Sequence, residues 1–161
     1  MIRLLAAILA VLVLMAAPVL TGTARAKDVI GTAQDAGTFT IFLAGLKSTG
    51  LIDLLSEPGP FTLFAPTDDA FAKLPRESLQ KLQQPENKEK FKKILIHHLV
   101  DGKATARDFL GKRLEAATMG GDTLLIDATK TVMVDSAKVI KADIVADNGF
   151  IHVIDTVLIP K

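Results

Sequence analysis

Three histidines, four serines and eighteen acidic side chains are the residues of this chain equipped for chemistry, and their spacing limits what they can do. His97 and His98 are adjacent. On a helix, neighbouring side chains point about 100° apart, so the pair cannot share one ion as an i, i+4 pair does. His152 lies far along the chain with no ligand spacing around it. Asp122, Asp127 and Asp135 fall in turns that lack the calcium-loop pattern. Ser48, Ser56, Ser78 and Ser136 sit beside no histidine, and no Gly-x-Ser-x-Gly elbow, phosphate-binding loop or dinucleotide glycine pattern occurs. With no cysteine, there is neither a thiol nucleophile nor a disulfide. These residues assign no catalytic group, no metal site and no cofactor, and the chain reads as a non-enzyme.

The elements that must position these side chains are predicted as helices first and strands later. Phe39, Phe42, Leu43 and Leu46 recur at helical spacing, Gly50 marks a stop, and residues 51–55 continue as a short helix. After the breaker cluster Glu57-Pro-Gly-Pro60, residues 61–65 read as a strand. Thr67 is placed to cap a helix whose first turn holds Asp68 and Asp69, where the helix dipole favours negative charge. A further amphipathic segment runs from Glu77 to Leu82. In the helix predicted over 88–100, Phe91, Ile94, Leu95, His98 and Leu99 form one buried stripe, which turns His97 outward beside Lys93 and Lys90. A short helix is expected at 105–110. Strands follow at 113–118, 123–127, 131–135, 139–145 and 150–159, separated by turn residues. The last strand is apolar on both faces and reads as central, with His152 and Asp155 as satisfied polar residues within it. The pattern is α+β.

The N-terminus carries Arg3, an uncharged apolar run from Leu4 to Ala17, and small residues at Ala24 and Ala26. That run is shorter than the ~20 residues of a membrane span and matches a cleavable signal peptide, residues 1–26. A single domain over residues 27–161 remains, expected in the periplasm or outside the cell with no stable membrane span. Losing Arg3 and Arg25 leaves 17 basic side chains against 18 acidic ones. A surface so near neutral offers no electrostatic footprint for nucleic acid. A monomer is the expected state.

Two segments carry a family likeness. Phe61-Thr-Leu-Phe-Ala-Pro-Thr-Asp-Asp-Ala-Phe71 and Asn148-Gly-Phe-Ile-His-Val-Ile-Asp-Thr-Val-Leu-Ile-Pro160 resemble the two signature boxes of the fasciclin domain, through Thr67, Ala70 and Phe71 in the first and Asn148, Gly149, His152 to Asp155 and Pro160 in the second. Ser136 to Ile140 and Asp143-Ile144 resemble the family's approach to the second box. The likeness implies an antiparallel β-sandwich or wedge flanked by short helices, and a cell-adhesion or protein-interaction module that meets a protein, cell-surface or matrix partner. It also implies site residues. His98 matches the histidine of the family's Tyr-His pair, with His97 in place of the tyrosine, and Asp143-Ile144 matches an Asp-Ile pair linked to integrin binding in animal relatives. His97, Asp143 and Ile144 are therefore candidate binding residues. Because both boxes must pack together and a buried imidazole needs a partner, His98 is expected to hydrogen-bond Asp68 near the Thr67 cap as a polar clasp. The alternative function is a small carrier of an apolar ligand, a carotenoid or lipid, lined by the Phe39, Phe42, Leu46 helix.

Overall fold

Helices open the fold, as the apolar periodicity requires. The computed structural model describes residues 27–161; the expected signal segment lies outside the described residues. Helix α1 (Val29–Ala36) is capped by the Asp28 carboxylate, which accepts from the Gly31 amide at 2.7 Å, and it ends at Gly37 in a left-handed conformation. Helix α2 (Thr40–Ser48) and α3 (Leu51–Leu55) follow, joined through Gly50 at φ 75°. Strand β1 (Phe61–Pro66) leads into α4 (Asp68–Ala72), capped by Thr67 as expected, with its hydroxyl accepting from the Ala70 amide. Then come α5 (Arg76–Leu82), a 3-10 turn at Pro85–Asn87, and α6 (Lys88–His97).

The second half supplies most of the sheet. Strand β2 (Leu99–Asp101), helix α7 (Ala106–Phe109), β3 (Arg113–Ala117), β4 (Thr123–Asp127), β5 (Met133–Val134), β6 (Ala137–Ala146) and β7 (Gly149–Ile154) complete the chain. The seven strands lie in the order β2-β1-β7-β6-β5-β4-β3. The first residues of β6 pair with β5 and the rest with β7, so one long strand serves both halves of the sheet. The sheet also curls back on itself: Val100 bridges Thr118, and the Met119 amide donates to the Leu99 carbonyl at 2.8 Å.

Two cores result. On one side the helices bury Phe39, Phe42, Leu46, Phe71 and Leu95 against Leu63, Ala65, Ile151 and Val153. Within the curl, Phe64, Val100 and Ile154 meet Phe109, Leu124, Ile126 and Val134. All six residues of β1 are buried, because each face of that strand looks into a core.

The fold departs from the sequence expectation in four places, one being the strand expected over 150–159, which ends at Ile154 and leaves Asp155 beyond it. The sheet is mixed, since β1 and β7 run parallel over six register pairs while the other pairings are antiparallel. Parallel neighbours need a long connection, and here nearly the whole intervening chain provides it. Their approach is close enough that a Cβ on Gly149 would run into the Phe61 carbonyl. The helix expected over 88–100 stops at His97, with His98 as its C-terminal cap, because Leu99 is recruited to pair with Leu63. Helix α1 has no counterpart in the sequence reading: its apolar residues are few, and its packing against β6 and β7 decides it.

Candidate functional site

The histidines take three different environments. His98 is fully buried at the end of α6. Its Nδ1 donates to the Ile94 carbonyl at 2.7 Å and its Nε2 accepts from the Leu158 amide at 3.0 Å, with the edge of Phe42 against the ring. One donor and one acceptor are what a neutral imidazole offers, and burial lowers its pKa to about 4. The expected bond to Asp68 is not formed. The Asp68 carboxylate accepts instead from the Thr40 and Ile41 amides, at 3.2 and 2.8 Å, and caps α2, whose own N-cap residue Phe39 has no side chain able to do so. Both residues are clasps, each between different elements: His98 fastens α6 to the C-terminal segment, and Asp68 fastens α4 to α2.

His97 was expected to face outward and is instead 3 % exposed. The α6 turn that carries it is covered by the chain around β4 and β5, which brings Asp122 and Asp135 to either side of the ring. An amphipathic reading of α6 alone shows the helical core on one face and has no way to show a second layer arriving from residues 122–135.

His152 organises the bulge in β6. The ring lies stacked on Phe64 and edge-on to Phe109, its Nε2 donates to the Ala104 carbonyl at 2.7 Å, and its Nδ1 accepts from the Asp143 amide at 3.2 Å. Burial holds its pKa below the usual imidazole value. Asp143 sits at φ 57°, in the left-handed region that Asp tolerates better than most residues, where the register of β6 against β7 slips between Lys141 and Ile144. The turned backbone aims the Asp143 carboxylate at the N-terminus of α7, where Oδ1 accepts from the Ala106 amide at 2.8 Å.

The bulge also decides which side chains reach the surface. Asp143 is exposed. Ile144 faces the other way and packs partly against the helical core, so strand alternation leaves it half-buried and gives the outward position to Val145, 68 % exposed. Val145 is the register partner of Phe150. Beside them lies a depression of about 610 Å³ lined by Lys103, Thr105, Arg107, Asp108, Asp143 and Phe150, with the Lys103 ammonium 5.1 Å from the centre of the Phe150 ring. An apolar centre with charges of both signs at its rim is suited to contact, and nothing in this arrangement activates a nucleophile.

Sequence reasoning missed Asn148. Its Oδ1 accepts from the Val29 amide at 2.9 Å, and its Nδ2 donates to the carbonyls of Leu55 and Glu57, so one side chain in the β6–β7 turn ties down α1 and the exit of α3. The Asn-Gly pair signals a turn, and its long-range partners are visible only in three dimensions. Asp155 is likewise structural: its carboxylate accepts from the Lys138 amide and the Thr156 hydroxyl, bonds that hold its pKa below the usual carboxylate value.

Comparison with known proteins agrees with this geometry. The fasciclin domain family model matches residues 37–160. This chain belongs to the fasciclin domain family. The chain is 43 % identical over 139 residues to protein sll1483 of Synechocystis sp., covering 86 % of this chain and 76 % of that protein. It is 34 % identical over 129 residues to human periostin, covering 76 % of this chain and 15 % of periostin. The solved structure of a FAS1 domain pair from the insect cell adhesion molecule Fasciclin I matches with a TM-score of 0.58 at 19 % identity, over 77 % of this chain and 46 % of that one, and shares the α+β fold. Among the described residues, no helix is long and apolar enough to cross a membrane.

Proposed function

We propose that this fasciclin domain works outside the cytoplasm, in the periplasm or beyond the cell, as an adhesion or protein-interaction module that acts by binding and not by catalysis. Its contact surface is the outward side of the β6 bulge: Asp143, Val145 and Phe150, with Lys103 and Arg107 at the rim. The supporting observation is the exposure of Val145 at 68 % on a strand whose neighbouring bulge is fixed by His152 and by the cap on α7. An apolar side chain held out on a rigid element, with charges around it, matches the apolar centre and polar rim of a contact surface. The shared fold with an insect cell adhesion molecule is consistent with this role. The carrier reading has less behind it, because Phe39, Phe42 and Leu46, its candidate lining, are packed into the helical core with at most 1 % exposure.

The test is binding of the fluorescently labelled domain to intact cells of the source organism. Val145→Glu should weaken saturable binding by about tenfold, the scale of a central contact residue, while Gln80→Glu on α5 should not. Equal binding by the two variants, with both shown to be folded by circular dichroism, would overturn the placement of the surface.

A further inference from the structure

Strand β3 stands at one end of the sheet order, so one of its edges has no strand along it. Its ladder with β4 uses the backbones of alternate residues. The Ala128 amide donates to the Lys112 carbonyl at 2.9 Å, and the Thr118 amide donates to the Asp122 carbonyl at 2.7 Å. Lys112, Leu114, Ala116 and Thr118 therefore turn their backbone groups toward β4, while Arg113, Glu115 and Ala117 turn theirs to the free edge. At the Ala117 end the curl of the sheet brings β2 across, through the bridge between Val100 and Thr118. Arg113 and Glu115 lie beyond that bridge, and their amides and carbonyls have no partner among the described residues.

Natural proteins blunt such edges with charge. Here the two charges have opposite signs: Arg113 and Glu115 are exposed on one face of the strand, with Leu114 half-buried between them on the other. The pattern is complementary to itself read backwards. When two β3 strands run antiparallel about a two-fold axis through Leu114, Arg113 of each copy stands opposite Glu115 of the other. These are also the residues whose N–H and C=O groups face the edge, so each opposed pair exchanges two hydrogen bonds. Moving the axis to Arg113 or to Glu115 would set like charges directly opposite, which is destabilising. Charge and backbone thus select one register. Leu110, 61 % exposed, lies just before the strand, and a depression of about 740 Å³ walled by Phe109, Leu114, Ala116 and Met119 runs beside it, so apolar surface accompanies the edge.

We propose that the mature chain, residues 27–161, forms a two-fold dimer by pairing β3 with β3, which continues the sheet from one copy into the other. The dimer takes the place of the monomer expected from the sequence. It stands independently of the β6 reading, and it adds to that reading: two copies present two β6 surfaces and gain a bridging capacity that one copy lacks.

Sedimentation velocity over about 10 µM to 1 mM covers the range in which a short edge contact associates. The wild type is expected to pass from monomer to dimer across it. Hydrogen exchange at the Arg113 and Glu115 amides should slow as the dimer forms, while the Leu114 and Ala116 amides, already bonded to β4, should not change. Arg113→Glu sets acidic residues opposite each other and should weaken the dimer by about tenfold or more, and Glu115→Arg should do the same with basic ones. An equimolar mixture of the two variants restores both opposite-charge pairs and should dimerise where neither variant does alone. That rescue separates lost pairing from lost folding. A wild type that stays monomeric throughout would overturn the proposal and leave the edge to a strand of another protein. A dimer that Arg113→Glu does not weaken, or a mixture with no more dimer than either variant alone, would overturn it as well.

Discussion

Replacing His98 by Asn tests the central claim about the buried imidazole. His98 must be neutral to fit: protonation would set an N–H on Nε2 against the Leu158 N–H, and burial already lowers the pKa from 6.5 to about 4. In the unfolded chain the group titrates at its ordinary value. Between those two values the unfolded state holds a proton that the folded state lacks, so stability falls as pH falls, by about 1.4 kcal/mol per pH unit. The loss begins near pH 6.5, reaches ~2 kcal/mol at pH 5 and levels off below the folded value at ~3 kcal/mol. Asn retains a donor and an acceptor but does not titrate. Wild type should be more stable than His98→Asn at pH 7.5 by ~1–3 kcal/mol for disturbed hydrogen bonds and packing, and the gap should shrink by ~2 kcal/mol at pH 5. His152 titrates in the same direction in both proteins, and the carboxylates of Asp108, Asp127 and Asp155, held low by their hydrogen bonds, come into play only at more acid pH, so these contributions cancel. The chain has neither Trp nor Tyr, so urea unfolding is followed by far-ultraviolet circular dichroism. A gap that stays constant from pH 7.5 to 5 would refute the reasoning, because it would mean the folded state accepts the charged ring as readily as the unfolded one.

Two further outcomes follow from the clasps. Asn148→Ala removes one acceptor and two donor contacts to backbone groups of Val29, Leu55 and Glu57, and should cost ~2–4 kcal/mol in urea unfolding, about 1 kcal/mol per bond; a loss under half of the lower figure would show that water replaces the side chain. Asp68→Ala should cost ~1 kcal/mol, the usual worth of an N-terminal cap, and should selectively speed hydrogen exchange at the Thr40 and Ile41 amides, so unchanged exchange at those two sites would remove Asp68 from its capping role.

What could be read without the fold was whatever depends on near neighbours. The Thr67 cap, the strand at 61–65, the α2 stripe and the burial of His98 follow from local spacing, and the two boxes carried the family. Everything that failed to appear in advance depends on a distant partner. Asp68 caps a helix that begins 28 residues earlier, because the structure brings the start of α2 to it. Asn148 reaches residues that precede it by more than ninety positions. His97 is buried by a layer that a helical periodicity does not contain, and the parallel pairing of β1 with β7 is a matter of topology. Asp143 and Ile144 look alike as a motif, yet alternation along β6 sends one outward and the other toward the core.

Sequence by itself determined the composition class, most of the elements and the family, since propensity, periodicity and capping act over a few residues. Only the tertiary structure decided which polar groups meet and which surface is left uncovered. Those outcomes arise because a buried hydrogen-bonding group must be satisfied by whatever the fold places beside it, and long-range packing chooses that neighbour.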